Sequence, residues 1–394
     1  MTDRERMLAA IRGETPDRLP WIPRLEFWHR AQLRKGTLPA ELRGLSRIEI
    51  ADWLGAGYYS VIPDFTDCPG ELDMIDRTLG IFRLNVLPYR VTLEGVDRRV
   101  LLKGRETVVE YHTPAGSIHT STVFTDEMLD GGASVPWTSE HAIRTPNDFE
   151  VAGYIFERLR VEPQLDGYLE RRRRVGERGL VIGYLCGTAG PVHHIMKELM
   201  PVEQFFYAMH DYPEKIAKLA DQMQPFYRSI QQCAADSPAE GFLLGANYDD
   251  SITNPKFYRQ HILPHLKAYA TELHGRGKFL MTHTDGESRR LLPLYLETEF
   301  DVADSVCPHP MTSVTFAGFM EAFAGRITLM GGIPAVLLCP GSSTMDDCRR
   351  YVDRVLKQHG RSPRLILGVS DMVTADADWD RLLYVTERIT KPVS

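Results

Sequence analysis

Short, continuous apolar runs punctuate the chain, and longer stretches with apolar residues at helical spacing separate most of them. GLVIGYL (179–185), GFLLGA (241–246), KFLMTH (278–283), FDVADSV (300–306), RITLMGG (326–332) and RLILGV (364–369) are the runs in the C-terminal part. Runs of this length alternating with helices predict a parallel sheet covered on both faces. Pro255 to His274 opens on proline, and Thr344 to His359 carries Leu and Val at helical intervals, so both predict helices. Two earlier runs, RLPWIPRLEF (18–27) and YYSVIPDF (58–65), flank the helical SRIEIADWLG. Together these make eight strand candidates. Eight βα units predict an α/β fold of the (β/α)8 TIM-barrel type over an open doubly wound sheet. No G-x-G-x-x-G follows the first strand, so the dinucleotide-binding alternative lacks its fingerprint.

Residues 72–136 break this rhythm. YRVTLEG, RRVLLKG and TVVEYHTPAGSIHTSTVF alternate with period two between Gly and Pro punctuation. They predict a β-rich insertion after the second barrel strand, within a single barrel domain spanning 1–394. An insertion on a βα connection reaches the C-terminal face, where barrel active sites lie, and would form a lid or one wall.

Composition narrows the function classes. Apolar residues make up 43% and charged residues 25%, ordinary globular usage. No apolar run reaches membrane-span length, so no integral membrane protein is expected. The net charge of -7 argues against a nucleic-acid partner. Arg171 to Arg174 is the one basic cluster and reads as a solvated helix face. The N-terminal MTDRERMLAAIRG is charged and helix-like without a signal core, so a cytoplasmic protein is expected. Six sparse cysteines in a protein expected to be cytoplasmic argue against a disulfide framework, and the lack of a C-x-x-C excludes zinc-ribbon and thioredoxin patterns. A homodimer is expected on frequency alone.

Barrel active sites are built from residues just after the strands. Those positions hold Arg24, Glu26 and Phe27, then Asp64 and Cys68, then Cys186, His193 and His194. Next come Asn247, Tyr248, Asp249 and Asp250, then His283 and Asp285, then Cys307, Cys339, Ser370 and Asp371. The spacing Asp285-x21-Cys307-x31-Cys339 matches βα-unit lengths, so these side chains can converge from neighbouring units. Imidazole, carboxylate and thiolates are zinc ligands, and three of them leave a position open for substrate. The candidate metal set is therefore His283, Asp285, Cys307 and Cys339. Cys233 and Cys348 fall inside helical patterns and read as packing residues. His193 reads as a pocket wall or a helix-end residue. Asp249 and Asp250 read as an N-cap and turn before Pro255, or as carboxylates that move a proton or bind a substrate hydroxyl. Arg24 and Glu26 would pair at the pocket floor, or Arg24 would bind an anionic group.

These motifs, in order over nearly the full length, resemble the uroporphyrinogen decarboxylase superfamily in its cobalamin-dependent methyltransferase branch. The resemblance runs through RERMLAAIRGETPDRLPW, HTPAGSI, TPNDFE, NPKFYRQHILPHLKAYATELHGRGKFLMTHTDG, GGIPAVLL and ILGVSDMV. True decarboxylases of the superfamily carry an R-Q-A-G-R loop where this chain reads RLEFWHR. Methyltransferases acting on coenzyme M hold zinc with H-x-C and a distant Cys. Here His283-Thr284-Asp285 has Asp in place of that Cys, and Cys339 matches the distant one. The resemblance therefore implies the ether-cleaving branch, which demethylates methoxylated aromatics with zinc held by an acidic residue and two cysteines. Which of His283 and Asp285 ligates stays open. The implied acceptor is the Co(I) corrinoid (cobalamin) of a partner protein, since no D-x-H-x-x-G stretch is present. Phe27, Trp28, Phe65 and Tyr248 would line an apolar slot for the ring, beside Arg24, His193 and Asn247. Glu26, Asp249 and Asp250 would serve as catalytic carboxylates. The alternative is a metal-free decarboxylase or lyase acting on a carboxylated substrate.

Overall fold

The structure, a computed structural model, describes residues 1–61, 76–84, 86–133 and 135–391. Asp64, Phe65 and Cys68 lie outside the described residues. Eight parallel strands form one sheet: β1 (Trp21–Ile22), β2 (Tyr58–Val61), β9 (Gly179–Tyr184), β10 (Gly241–Leu244), β11 (Phe279–His283), β12 (Val302–Val306), β13 (Thr328–Ile333) and β14 (Leu365–Val369). Their order is β1-β14-β13-β12-β11-β10-β9-β2. The two ends of this order meet where the Gly57 N–H donates to the Trp21 carbonyl at 3.0 Å. This is a (β/α)8 TIM barrel, with every strand on an apolar run that the sequence marks out, β13 alone extending one residue past its run. Strands β2, β9, β10, β12, β13 and β14 are buried along their whole length, as a sheet covered on both faces requires.

The helices follow the local signals. Asp3–Arg12 starts at Thr2, whose hydroxyl and the Glu5 carboxylate cap each other's backbone. Met345–His359 starts at Thr344 with Asp347 in the same reciprocal arrangement. The stretch from Pro255 to His274 is two helices, Pro255–His261 and Leu263–His274. Pro264, which lacks an N–H and crowds the preceding turn, explains the break. Within Asp166–Val175, Arg172, Arg173 and Arg174 face solvent but Arg171 is buried, so the basic cluster is solvated on three of its four members.

Among the described residues, six further strands lie between β2 and β9. β3 (Tyr89–Leu93) pairs antiparallel with β8 (Leu159–Pro163). β4 (Asp97–Lys103), β5 (Glu106–Thr113), β6 (Gly116–Val123) and β7 (Trp137–Glu140) form an antiparallel meander. The β-rich stretch thus runs past residue 136, to Glu140 and again at Leu159–Pro163. It is fastened to the C-terminal rim of the barrel. The Tyr89 hydroxyl donates to the Leu185 carbonyl just beyond β9, and Arg30 donates to the Ala133 carbonyl at 2.9 Å. Among the described residues no helix is long and apolar enough to cross a membrane.

Candidate active site

Four strand ends bring a charged network to one side of the barrel mouth. His283 is the last residue of β11, and Asp285 follows two residues later. Asp304 and Ser305 come from β12, Asp371 from just beyond β14, and Arg24 from just beyond β1. His283 Nδ1 lies 2.9 Å from Asp304 Oδ2. Its Nε2 lies 3.4 Å from Asp285 Oδ2 and 3.8 Å from Asp371 Oδ1. Arg24 Nη1 donates to Ser305 Oγ at 3.2 Å and to Asp371 Oδ1 at 3.3 Å, and it lies 3.9 Å from Asp304 Oδ2.

In a regular strand, Asp304 and Ser305 would point to opposite faces. Here Ser305 has φ 64°, and the register with β13 slips between Ala303 and Val306. That bulge lets the Ser305 hydroxyl reach Asp304 Oδ2 (3.1 Å) and Asp371 Oδ1 (3.0 Å). Ser370, beside Asp371, also has positive φ. Non-glycine residues held in this region cluster at functional sites, where the surrounding structure imposes the conformation.

Burial alone would push the His283 pKa down. Hydrogen bonds to the Asp285 and Asp304 carboxylates, with the charges of Asp285 and Asp371, lift it to about 10. Burial opposes ionisation of Asp285 and Asp304, yet His283 holds both carboxyls below their usual range, with help from Lys197 at Asp285 and Arg24 at Asp304. Burial also opposes the Arg24 charge, which Asp371, Asp304 and Glu26 restore.

Among the described residues, the ligand atoms of His283, Asp285 and Asp371 all lie within 4.8 Å of one another. The structure thus joins His283 and Asp285 to Asp371, which the ligand set drawn from the sequence leaves out, and that group contains neither cysteine. Cys307 is buried beside the network with its Sγ 3.3 Å from the Ser305 carbonyl. Burial pushes its thiol up to about 12. Cys339 follows the turn Ala335–Leu338, six residues past β13, and its Sγ lies 3.3 Å from Thr374 Oγ1.

A tetrahedral zinc with bonds of about 2.0–2.1 Å needs ligand atoms about 3.3 Å apart. The Nε2–carboxylate separations of 3.4 and 3.8 Å are close to that. Asp285 Oδ1 is buried without a hydrogen-bond partner. Asp304 on Nδ1 fixes Nε2 as the outward atom, the carboxylate–histidine arrangement of many metal sites. The donor set fits zinc.

The other candidates separate into rim and core. Asn247 is exposed, and its Nδ2 donates to Asp285 Oδ2 at 3.3 Å. Glu26 is buried at the start of the helix Glu26–Lys35, within electrostatic reach of Arg24. Phe27 is half-buried, and its carbonyl lies against Gly132 of the insertion. Tyr248 is fully buried and bonds Thr282 Oγ1 at 2.9 Å. His193 is buried, stacked on Tyr248, and accepts the Ala189 N–H at Nδ1. Trp28 is buried against Trp379. Asp249 Oδ1 accepts the Ser251 N–H at 2.9 Å, which makes it a turn residue. The buried Asp250 carboxylate accepts the Arg290 backbone N–H (2.8 Å) and Nε (3.0 Å). Cys233 and Cys348 are packed inside helices as expected.

A solved structure of a methyltransferase from Methanosarcina mazei shares this fold. Its TM-score is 0.52 at 14% identity, over 98% of this chain and 97% of that one. No match was found among curated proteins. The sequence profile of uroporphyrinogen decarboxylase (URO-D) matches residues 132–391. Since that match takes in most of the sequence, including six of the eight barrel strands, all but β1 and β2, the chain belongs to the uroporphyrinogen decarboxylase family.

Proposed function

We propose that this chain is a methyltransferase that moves a methyl group from a small methoxylated, aromatic substrate to the Co(I) corrinoid of a partner protein. The observation that carries the reading is the His283–Asp285–Asp371 group at the mouth of the barrel. These three side chains would hold zinc and leave a position open toward the substrate. Zinc, when bound there, supplies a Lewis acid for the oxygen that loses its methyl group. Asp304 keeps His283 in one tautomer and orientation. Arg24 and Ser305 hold Asp371 in place, and Asn247 steadies Asp285. The inserted strands, fastened at Leu185 and Ala133, wall the mouth against water. The likeness in fold to a methyltransferase is in keeping with this reading. A metal-free decarboxylase would need Arg24 for a substrate carboxylate, whereas Arg24 Nη1 here serves Ser305 and Asp371.

The test incubates zinc-loaded protein with chemically reduced cobalamin and a panel of methoxybenzenes and methoxybenzoates, following Co(I) absorbance. Loss of Co(I) that needs protein, zinc and a methoxy group is expected. Release of carbon dioxide from the benzoates, with Co(I) untouched, would replace this reading with the decarboxylase.

A further inference from the structure

We propose that Lys197 forms an oxyanion subsite facing the His283–Asp285–Asp371 group, where it binds the phenolate or alkoxide oxygen of the product. This inference rests on the methyl-transfer reading and assigns a role to a lysine that the reading leaves unused.

Lys197 lies in a π-helical turn, Ile195–Leu199, that continues the short helix Pro191–His194. Such turns are rare and occur frequently at functional sites. Its ammonium donates to the Gly187 carbonyl at 2.9 Å and to the Gly245 carbonyl at 3.4 Å. Those carbonyls stand just past the C-terminal ends of β9 and β10, so the charge sits on the rim of the mouth. An ammonium has three N–H donors, and these two bonds leave one for a ligand. Asn247, two residues beyond Gly245, bonds Asp285, which places Lys197 and the carboxylate group on adjoining strand ends. Burial lowers the Lys197 pKa on balance, and Arg77, a second cation nearby, acts in the same direction, while Glu198 and Asp285 oppose them. A residue that only capped two carbonyls would not need a charge held at the cost of desolvation. An oxygen that gains negative charge does need one. When the O–CH3 bond breaks, its electron pair stays on the oxygen, and the methyl group leaves to the corrinoid nucleophile.

4-Nitrophenol, a product-like phenol whose ionised form is coloured, tests this by direct binding. It is titrated into wild type, Lys197→Met and Lys197→Arg, each with zinc and after chelation, at a pH where the free phenol is mostly protonated. Wild type is expected to bind it as phenolate. Lys197→Met is expected to lose at least tenfold in phenolate affinity, and Lys197→Arg to keep most of it. A Lys197→Met that melts like wild type and ionises the phenol equally well would overturn the subsite. So would ionisation that follows zinc alone, or no phenol binding by wild type. Phenolate binding through Lys197 in a protein that demethylates nothing would keep the subsite and remove the methyl-transfer reading.

Discussion

His283 turns its Nδ1 to Asp304 at 2.9 Å, and this leaves Nε2 between Asp285 and Asp371. The orientation depends on Asp304, because a carboxylate accepts from Nδ1–H and excludes the other tautomer. Asp304→Asn keeps the shape but weakens that acceptor. Zinc affinity is expected to fall about 10- to 100-fold, the usual cost of losing such a partner. Competition against a chromophoric chelator measures it, and an unchanged dissociation constant would show that Asp304 does not orient the ligand.

The ligand set is decided by comparing Asp371→Asn with Cys307→Ser and Cys339→Ser. Asp371 is within ligand distance of His283 and Asp285, while the Cys339 thiol is engaged with Thr374. Asp371→Asn is therefore expected to purify with little zinc. Cys339→Ser is expected to retain about one zinc per chain, as a site with three protein ligands allows. Metal analysis with the opposite pattern would move the site to the cysteines.

The barrel was legible because most of its strands are buried on both faces, and double burial leaves an unbroken apolar run such as GFLLGA or RLILGV. His283, Asp285 and Arg24 were legible for a related reason: each stands at or within two residues of the end of a buried strand. Asp304 was not, because it lies inside FDVADSV, where a buried strand residue normally packs. Only the slip at Ser305, a product of tertiary pairing, turns it into the network. Asp371 stood at a strand end but had no metal-ligand spacing to mark it, since it meets His283 through closure of the sheet. Cys339 had such spacing, yet the turn Ala335–Leu338 separates it from the end of β13.

Asp250 shows how a carboxylate beside a strand end can be structural. Its two oxygens hold the backbone and side chain of Arg290, and its own N–H donates to Glu287. Asp250→Ala is expected to cost about 1–3 kcal/mol, because the Arg290 N–H loses its acceptor. The half-exposed Arg290 guanidinium recovers water and adds little to that cost. Urea unfolding reads the stability, and kcat of the surviving folded enzyme should stay within about twofold, because the Asp250 carboxylate is spent on Arg290 and not on the His283 network. A large drop in kcat with stability intact would restore Asp250 to the catalytic machinery.

His194 makes folding sensitive to mild acid. Its Nδ1 lies 2.9 Å from the Tyr227 hydroxyl and its Nε2 lies 2.8 Å from the Leu79 carbonyl, all in the core. Burial lowers its pKa from 6.5 to about 4, against a smaller opposing effect from the Leu79 bond. A base with a depressed folded-state pKa binds its proton more readily in the unfolded chain. Its contribution is therefore intact above pH 6.5 and is lost as pH falls toward 4. From pH 7 to pH 5 the loss attributable to His194 is about 2 kcal/mol. Parallel urea titrations of wild type and His194→Gln separate this from carboxylate titration. Gln can bond both partners but carries no proton, so the variant should lose about 2 kcal/mol less than wild type between these two pH values. Equal losses in the two proteins would show that His194 does not remain neutral in the fold.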